Sequence, residues 1–442
     1  MGTGQERQRK KHPSHKMCPA LIRRRRQIQS RQKPGSNSKL RVIVKLKQRL
    51  TPLAIRMLRR DLGQEALPIH RQLAFFSAFS TIVSISCLDK LCRCKGVENV
   101  YLDRKRTATL YVASPSIGAT QARKQRGLSG KGVNIAIVDT GVYPHPDLIR
   151  PYNRIVAFKD FVNGRKRPYD DNGHGTHLAG DAAGNGWASK GKYVGAAPES
   201  GIVGVKVLNA NGDGYDSTII EGIAWCIANR KRYGIRIISL SLGGLAIGTC
   251  QDDLLCQAVE RAVRAGITVV VAAGNNGPGR GTIESPGNSP SAITVGAVDD
   301  RRTIVQADDR ISWFSSRGPA KGGLRKPDLV APGESITSLR APGSVLDREL
   351  AHQRVGKQYF YLTGTSISTP LVAGAAALLL QRYPKLSPGQ VKASLKRRAF
   401  RLGYSRGAIG SGEVNVRFLI GVGGSTPAAR KRGQSAACRR CQ

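Results

Sequence analysis

The chain has 442 residues, 40% of them hydrophobic, and a formal net charge of +42 from 71 Lys and Arg against 29 Asp and Glu. Its length and apolar content exclude a disulfide-stapled miniprotein and a wholly disordered chain. The charge on its own points to a nucleic-acid or acidic-surface binder, but residues 1–60 carry +18 and the far longer stretch 130–423 only +14.

The first forty residues hold the run Arg23-Arg24-Arg25-Arg26 with many Gln, Ser and Pro and few apolar positions. Such a composition cannot offset the entropy of ordering, so residues 1–39 are expected to be a disordered basic arm. No signal-like apolar run follows it, and no stretch reaches the roughly 18 to 20 apolar residues of a spanning helix. The sequence therefore predicts no membrane span and a cytoplasmic location, with secretion as the alternative.

From Leu40 onward Val42, Val44 and Leu46 alternate with polar residues, residues 52–62 follow a helical period, and alternation returns near residues 74–85. A second helical piece over 88–94 and a strand over 97–102 complete a β-α-β-β-α-β order, the signature of a small α+β open sandwich in residues 40–112. Residues 113–131, rich in Gly, Ser and Lys, are expected to be a linker with no core of their own. Beyond them, short runs dominated by β-branched residues at 133–138, 202–207, 235–240, 267–272 and 292–297 alternate with helical stretches near 214–232, 252–265 and 365–382. That alternation predicts an α/β domain over 132–423, a mostly parallel sheet covered on both faces, with ligands at the carboxyl ends of its strands. Residues 424–442 form a basic tail.

Nine cysteines, at 18, 87, 92, 94, 226, 250, 256, 438 and 441, show no disulfide-framework spacing. Reduced thiols are the expectation, with Cys226 and Cys256 as small core residues. A loop disulfide between Cys250 and Cys256 is the alternative for that pair. Cys438 and Cys441 supply only half of a zinc site and are expected to be an exposed tail pair.

Three residues stand where strands give way to helices. Asp139 closes the first strand in Val138-Asp139-Thr140-Gly141, His174 stands in Gly173-His174-Gly175-Thr176-His177, and Ser366 sits in Gly364-Thr365-Ser366-Ile367-Ser368 just before an apolar helix. Each alone reads as a cap or an ordinary helix residue. Together, in the order Asp, His, Ser, they resemble the subtilisin-like serine proteases, the subtilase family (peptidase S8), over about residues 113–400. The closest pattern is that of bacterial, AprX-type intracellular subtilases with an inhibitor-like N-terminal propeptide.

The resemblance implies a three-layer subtilisin-like fold preceded by a ferredoxin-like propeptide domain, and a serine endopeptidase working through an acyl-enzyme on Ser366. His174 is then the general base and Asp139 the residue that fixes its tautomer. Asn275, in Ala273-Gly274-Asn275-Asn276, is implied as the oxyanion-hole amide. Ser241-Leu242-Gly243 and Gly212-Asp213-Gly214 are implied as edges along which an extended peptide lies. Glu284, two residues before Pro286-Gly287, falls near the floor of the pocket for the side chain preceding the scissile bond, where a carboxylate favours Arg or Lys.

Two positions depart from the family pattern: Ile367 and Ser368 stand where Met and Ala usually follow the nucleophile. No cofactor is required. A structural calcium at Asp147 is allowed by the resemblance, but residues 184–192 offer no evident oxygen set for it. The implied partners are polypeptide substrates and the chain's own propeptide as intramolecular inhibitor, with cleavage expected near residues 110–113. No specific nucleic acid is expected, since residues 1–40 lack aromatic interleaving and a base-reading motif. Nothing specifies an oligomer.

Overall fold

The structure, a computed structural model, describes residues 16–31, 38–63, 67–73, 77–102 and 110–421. The chain divides into two units, Met1–Arg106 and Thr107–Gln442. The tail with Cys438 and Cys441 lies outside the described residues, as do residues 1–15 of the arm.

The first unit contains α1 (Pro19–Arg31), β1 (Lys39–Leu46), α2 (Pro52–Leu62), β2 (Arg71–Leu73), β3 (Ala78–Ser84), α3 (Ile85–Arg93) and β4 (Val97–Leu102). Its sheet is antiparallel in the order β2-β3-β1-β4. Alternation along β1 buries Leu40, Val42, Val44 and Leu46 on one face, against Leu58 and Leu62 of α2 and Leu88 and Leu91 of α3. Both helices have the start signals the sequence offers: Thr51 and Ser84 cap them by accepting from Ala54 N and Cys87 N. The basic arm is in part a correction. Residues 19–31 form α1, held by buried Leu21 and by an Arg25–Asp89 ion pair at 2.8 Å. One apolar stripe and one ion pair suffice to dock a helix whose average composition reads as solvent-like.

The second unit opens with α4 (Leu110–Ser116) and α5 (Ala119–Arg126), then β5 (Asn134–Asp139), α6 (Pro146–Ile149), β6 (Ile155–Asp160), α7 (His174–Ala183) and β7 (Gly201–Lys206). Next come α8 (Asp216–Asn229), β8 (Ile235–Leu240), α9 (Leu254–Arg264), β9 (Thr268–Ala272), β10 (Ile293–Asp299), β11 (Arg310–Ile311), β12 (Leu329–Pro332) and β13 (Ile336–Leu339). α10 (Val345–Glu349), β14 (Arg354–Val355), β15 (Tyr359–Leu362), α11 (Thr365–Arg382), α12 (Pro388–Arg397) and α13 (Arg406–Ile409) complete it. The main sheet runs β11-β10-β9-β8-β5-β7-β6 with β12 beside β10, parallel except for β11. Apolar cores lie on both of its faces. One contains α7 and α11, the other α8 and α9, which is why its strands read as continuous apolar runs.

Two further expectations change. Residues 113–131 are no coreless linker: Ala113, Ile117, Ala119, Ala122 and Leu128 are buried in the core around α11. Val416 N donates to Ile117 O at 2.8 Å and Ser114 Oγ to Val194 O at 2.8 Å. The small residues that make the stretch look loop-like are what let two short helices sit close to the core. Cys250 and Cys256 are joined by a disulfide, so the reduced-thiol expectation fails for this pair. Cys226 is buried and free as expected.

Truncating Ile117 tests the corrected segment. In a Ser366→Ala background, chosen to prevent autolysis, Ile117→Ala should lower the unfolding free energy by about 2–5 kcal/mol; a linker position would give nearly none. Denaturant melts of the two chains measure the difference.

Candidate active site

The carboxyl ends of β5, β7, β8 and β9 open onto a cleft of about 840 Å³ lined by Thr140, His174, Asn275, Glu284 and Ser366. Asp139 ends β5 fully buried behind His174. A buried carboxylate must be compensated: its Oδ1 accepts from Thr140 N and sits 2.8 Å from His174 Nδ1. The other oxygen, Oδ2, has no partner among the described residues, so the imidazole is the main recipient of that charge. Burial by itself would lower the pKa of His174, but the charge and hydrogen bond of Asp139 outweigh it and the net direction is upward.

His174 is the first residue of α7, and a web of residues absent from the sequence reading sets its place. Asp170, buried, accepts from Gly173 N at 2.8 Å, Thr176 N at 2.8 Å, Thr176 Oγ1 at 2.6 Å and Thr140 Oγ1 at 3.0 Å. Those bonds take up free N–H groups at the start of α7. Thr140 Oγ1 in turn accepts from Gly175 N at 2.8 Å. A side chain at Gly175 would put Cβ 2.2 Å from Gly141 O, so only glycine allows the helix to approach the end of β5 this closely. Asn172 Oδ1 accepts from His174 N at 3.1 Å. The Gly-His-Gly-Thr string showed the first turn of the helix. The carboxylate four residues ahead of His174 was the overlooked signal.

Ser366 is the second residue of α11, whose buried body runs through the core. Its carbonyl accepts from Ser241 Oγ at 2.8 Å, tying the segment after β8 to the start of α11. Asn275 follows β9, and its Oδ1 accepts from Thr365 N at 2.9 Å and Thr365 Oγ1 at 3.1 Å. Because both partners are donors, the amide oxygen faces Thr365 and Nδ2 faces the cleft. A Cβ on Gly364 would stand 3.0 Å from Ser366 Oγ, 3.6 Å from Asn275 Nδ2 and 3.7 Å from Ser366 N. A hydroxyl and two N–H donors thus lie within 3.7 Å of one point, close enough together to serve an atom acquiring negative charge.

Ser241, Leu242, Gly243, Gly212, Asp213 and Gly214 all line the same cleft. Gly244 forms a bridge with Ser285, N–H to carbonyl in both directions at 3.0 and 2.9 Å, so the segments after β8 and β9 stand side by side. Glu284 Oε1 accepts from Asn275 N at 3.3 Å and from Asn276 Nδ2 at 2.5 Å. Gly274, at φ 104°, leaves room for it: a Cβ there would lie 2.5 Å from Glu284 Cδ. Partial burial raises the Glu284 pKa, opposed by the Asn275 N–H.

The Asp147 carboxylate is not arranged for a cation. It accepts from Ala188 N at 2.8 Å, Gly186 N at 3.2 Å and Tyr359 Oη at 2.9 Å, donors where a calcium site needs further oxygens. Arg154 donates to the carbonyls of Asp147, Ala183 and Ser200 nearby. The donor set at Asp147 does not fit calcium, and no group of three or more His, Cys, Asp and Glu among the described residues has a metal-binding arrangement. No helix among them is long and apolar enough to cross a membrane.

Comparison with known proteins agrees with this geometry. The profile of the subtilase family, peptidase S8, matches residues 130–427. Serine protease AprX of Bacillus subtilis (strain 168) is 50% identical over 312 residues, covering 69% of this chain and 70% of that protein. Subtilisin Savinase of Lederbergia lenta is 39% identical over 295 residues, 67% of this chain and 93% of its own. Among solved structures, Sphericase superposes with a TM-score of 0.54 at 32% identity, over 68% of this chain and 97% of the other. A three-layer sheet domain with an aspartate ending β5 and a histidine and a serine in the first turns of α7 and α11, matched by these relatives, makes the chain a member of the subtilase family of serine endopeptidases.

Proposed function

We propose that Ser366, His174 and Asp139 carry out peptide hydrolysis through an acyl-enzyme. The observation that carries this reading is that the Ser366 hydroxyl, Ser366 N and Asn275 Nδ2 lie within 3.7 Å of one point, in a cleft that His174 also lines. As Ser366 Oγ attacks the scissile carbonyl carbon, its proton passes to His174 Nε2 and the carbonyl π-electrons move onto oxygen. Asn275 Nδ2 and Ser366 N hold that oxyanion. His174 then protonates the departing amine, leaving the acyl chain on Ser366. Water, deprotonated by the same imidazole, attacks the ester and returns the serine. Asp139 keeps the proton on Nδ1 and stabilises the imidazolium in both halves.

Ser366→Ala should lower kcat on a peptide substrate by a factor on the order of 10⁶ and abolish labelling by a fluorophosphonate. The base form of His174 exists only above its raised pKa, so the acid limb of kcat/KM should lie above the ordinary histidine range near 6.5. Asp139→Asn should move that limb to lower pH while cutting the plateau by about 10⁴; a limb unmoved by the substitution speaks against the pairing.

The pocket for the side chain preceding the scissile bond is read as a site for Arg or Lys because Glu284 lines the cleft and, among the described residues, accepts two N–H bonds and pairs with no cation. Among matched peptides with Arg, Leu or Phe before the scissile bond, Arg should be cut best, and Glu284→Gln should remove the preference. Since burial raises the pKa of Glu284, the preference should grow as pH rises and the carboxylate ionises.

The first unit is read as a propeptide that keeps the enzyme inhibited until it is cut away. Its β-α-β-β-α-β order and its position ahead of the catalytic unit support this. Residues 110–113 belong to α4, with Val112 and Ala113 buried, which supports a cut before Leu110 over one within 110–113. Purified Ser366→Ala chain should stay at full length where the parent shortens; shortening of both would exclude self-processing. The Cys250–Cys256 disulfide favours an oxidising compartment over the cytoplasm.

A further inference from the structure

The cleft carries a charge opposite to that of the chain. Asp213, Asp216, Asp252, Asp253 and Glu284 line it, and no Lys or Arg does. With 71 basic residues against 29 acidic, a surface patch drawn at random from this sequence would hold more than two cations for each acid. Instead the ratio is reversed at the one place where a substrate must lie. None of the five carboxylates forms an ion pair among the described residues.

Local roles account for part of this set. Asp252 accepts from Thr249 N and Thr249 Oγ1 in a capping box, Asp253 caps α9 by accepting from Cys256 N, and Asp216 stands in the first turn of α8. The Asp253 cap is equally open to Ser or Asn, and all three roles leave the negative charge in place. Asp213 has no such role: no hydrogen bond to its carboxylate is seen among the described residues, and it is exposed on the segment after β7. The carboxylates also come from separate places: Asp213 and Asp216 follow β7, Asp252 and Asp253 precede α9 on the disulfide-closed loop, and Glu284 follows β9. Leu245 and Ile247, strongly exposed, line the cleft beside them. A wall of apolar side chains interspersed with carboxylates matches the two halves of a lysine or arginine, an alkyl stem and a cationic head.

We propose that the cleft selects peptide segments bearing basic residues at more than one position, with at least one contacting the Asp213, Asp216, Asp252 and Asp253 wall in addition to any residue that meets Glu284. This rests on the serine endopeptidase reading of the site but not on the placement of Glu284. Opposite charge along the cleft concentrates such segments and raises their association rate in a salt-dependent way. Of the several basic runs in the sequence, Arg104-Lys105-Arg106 stands at the boundary between the two units.

Peptides with Leu fixed before the scissile bond, and Arg or Ala at each of the three positions ahead of it, separate this wall from the Glu284 pocket. At low salt, each Arg that reaches the wall should raise kcat/KM about 2- to 5-fold, the range of an exposed charge pair. The gain should shrink at 0.5 M salt, and the Arg-to-Ala ratio should fall towards one in an Asp213→Asn, Asp216→Asn double variant. Hydrolysis of the whole set with no advantage for upstream Arg at low salt overturns the inference and leaves the protease standing. Failure to hydrolyse any peptide overturns both.

Discussion

A fully buried carboxylate at the end of a central strand is the constraint around which this site is organised. Asp139 has given up its water, and a charge in that position is tolerated only if donors converge on it. The Thr140 N–H and the His174 imidazole meet that requirement at 2.8 Å each. Satisfying Asp139 therefore fixes the ring of His174, which in turn requires α7 to begin at one particular height above the sheet. Asp170, Thr140 and Gly175 set that height by binding the first turn of α7 and leaving space for the Gly141 carbonyl. The geometry that makes an imidazole useful as a base is thus the same geometry that makes a buried acid affordable.

The serine side of the cleft is held by a different means. α11 is buried along almost its whole length, so packing rather than charge determines where Ser366 emerges. Asn275 and Ser241 then join three separate segments through Thr365 and the Ser366 carbonyl. Helices hold His174 and Ser366 on the two sides, and the segments after β7 and β8 line the walls. The proposed chemistry and the proposed selectivity accordingly rest on different parts of the chain. The net charge belongs to neither: the cleft is acidic within a chain of +42.

Much of the architecture was legible because a parallel sheet buried on both faces demands nearly continuous apolar strands. The strands ending at Asp139, Lys206, Leu240 and Ala272 could be read from β-branched content, and the first unit from its period of two. Average composition misled at α1, α4 and α5. There a few apolar contacts dock helices that are mostly polar or small, as Leu21 and Ile117 do. The Cys250–Cys256 bridge likewise depended on how a loop brings its ends together, which spacing left open.

By itself the sequence determined which residue types stand at strand ends and helix starts, because those positions carry local signals: Asp139 after a β-branched run, His174 between glycines, Ser366 before an apolar helix. The long-range partners were decided only by the tertiary structure. Asp170 lies four residues from His174 yet binds Thr140 from another element, and Asp213, Asp252 and Glu284 meet across one cleft from loops far apart in the chain. Hydrogen bonds and charges act through space over a few ångströms, and no local pattern records which distant segments the sheet will place within that reach.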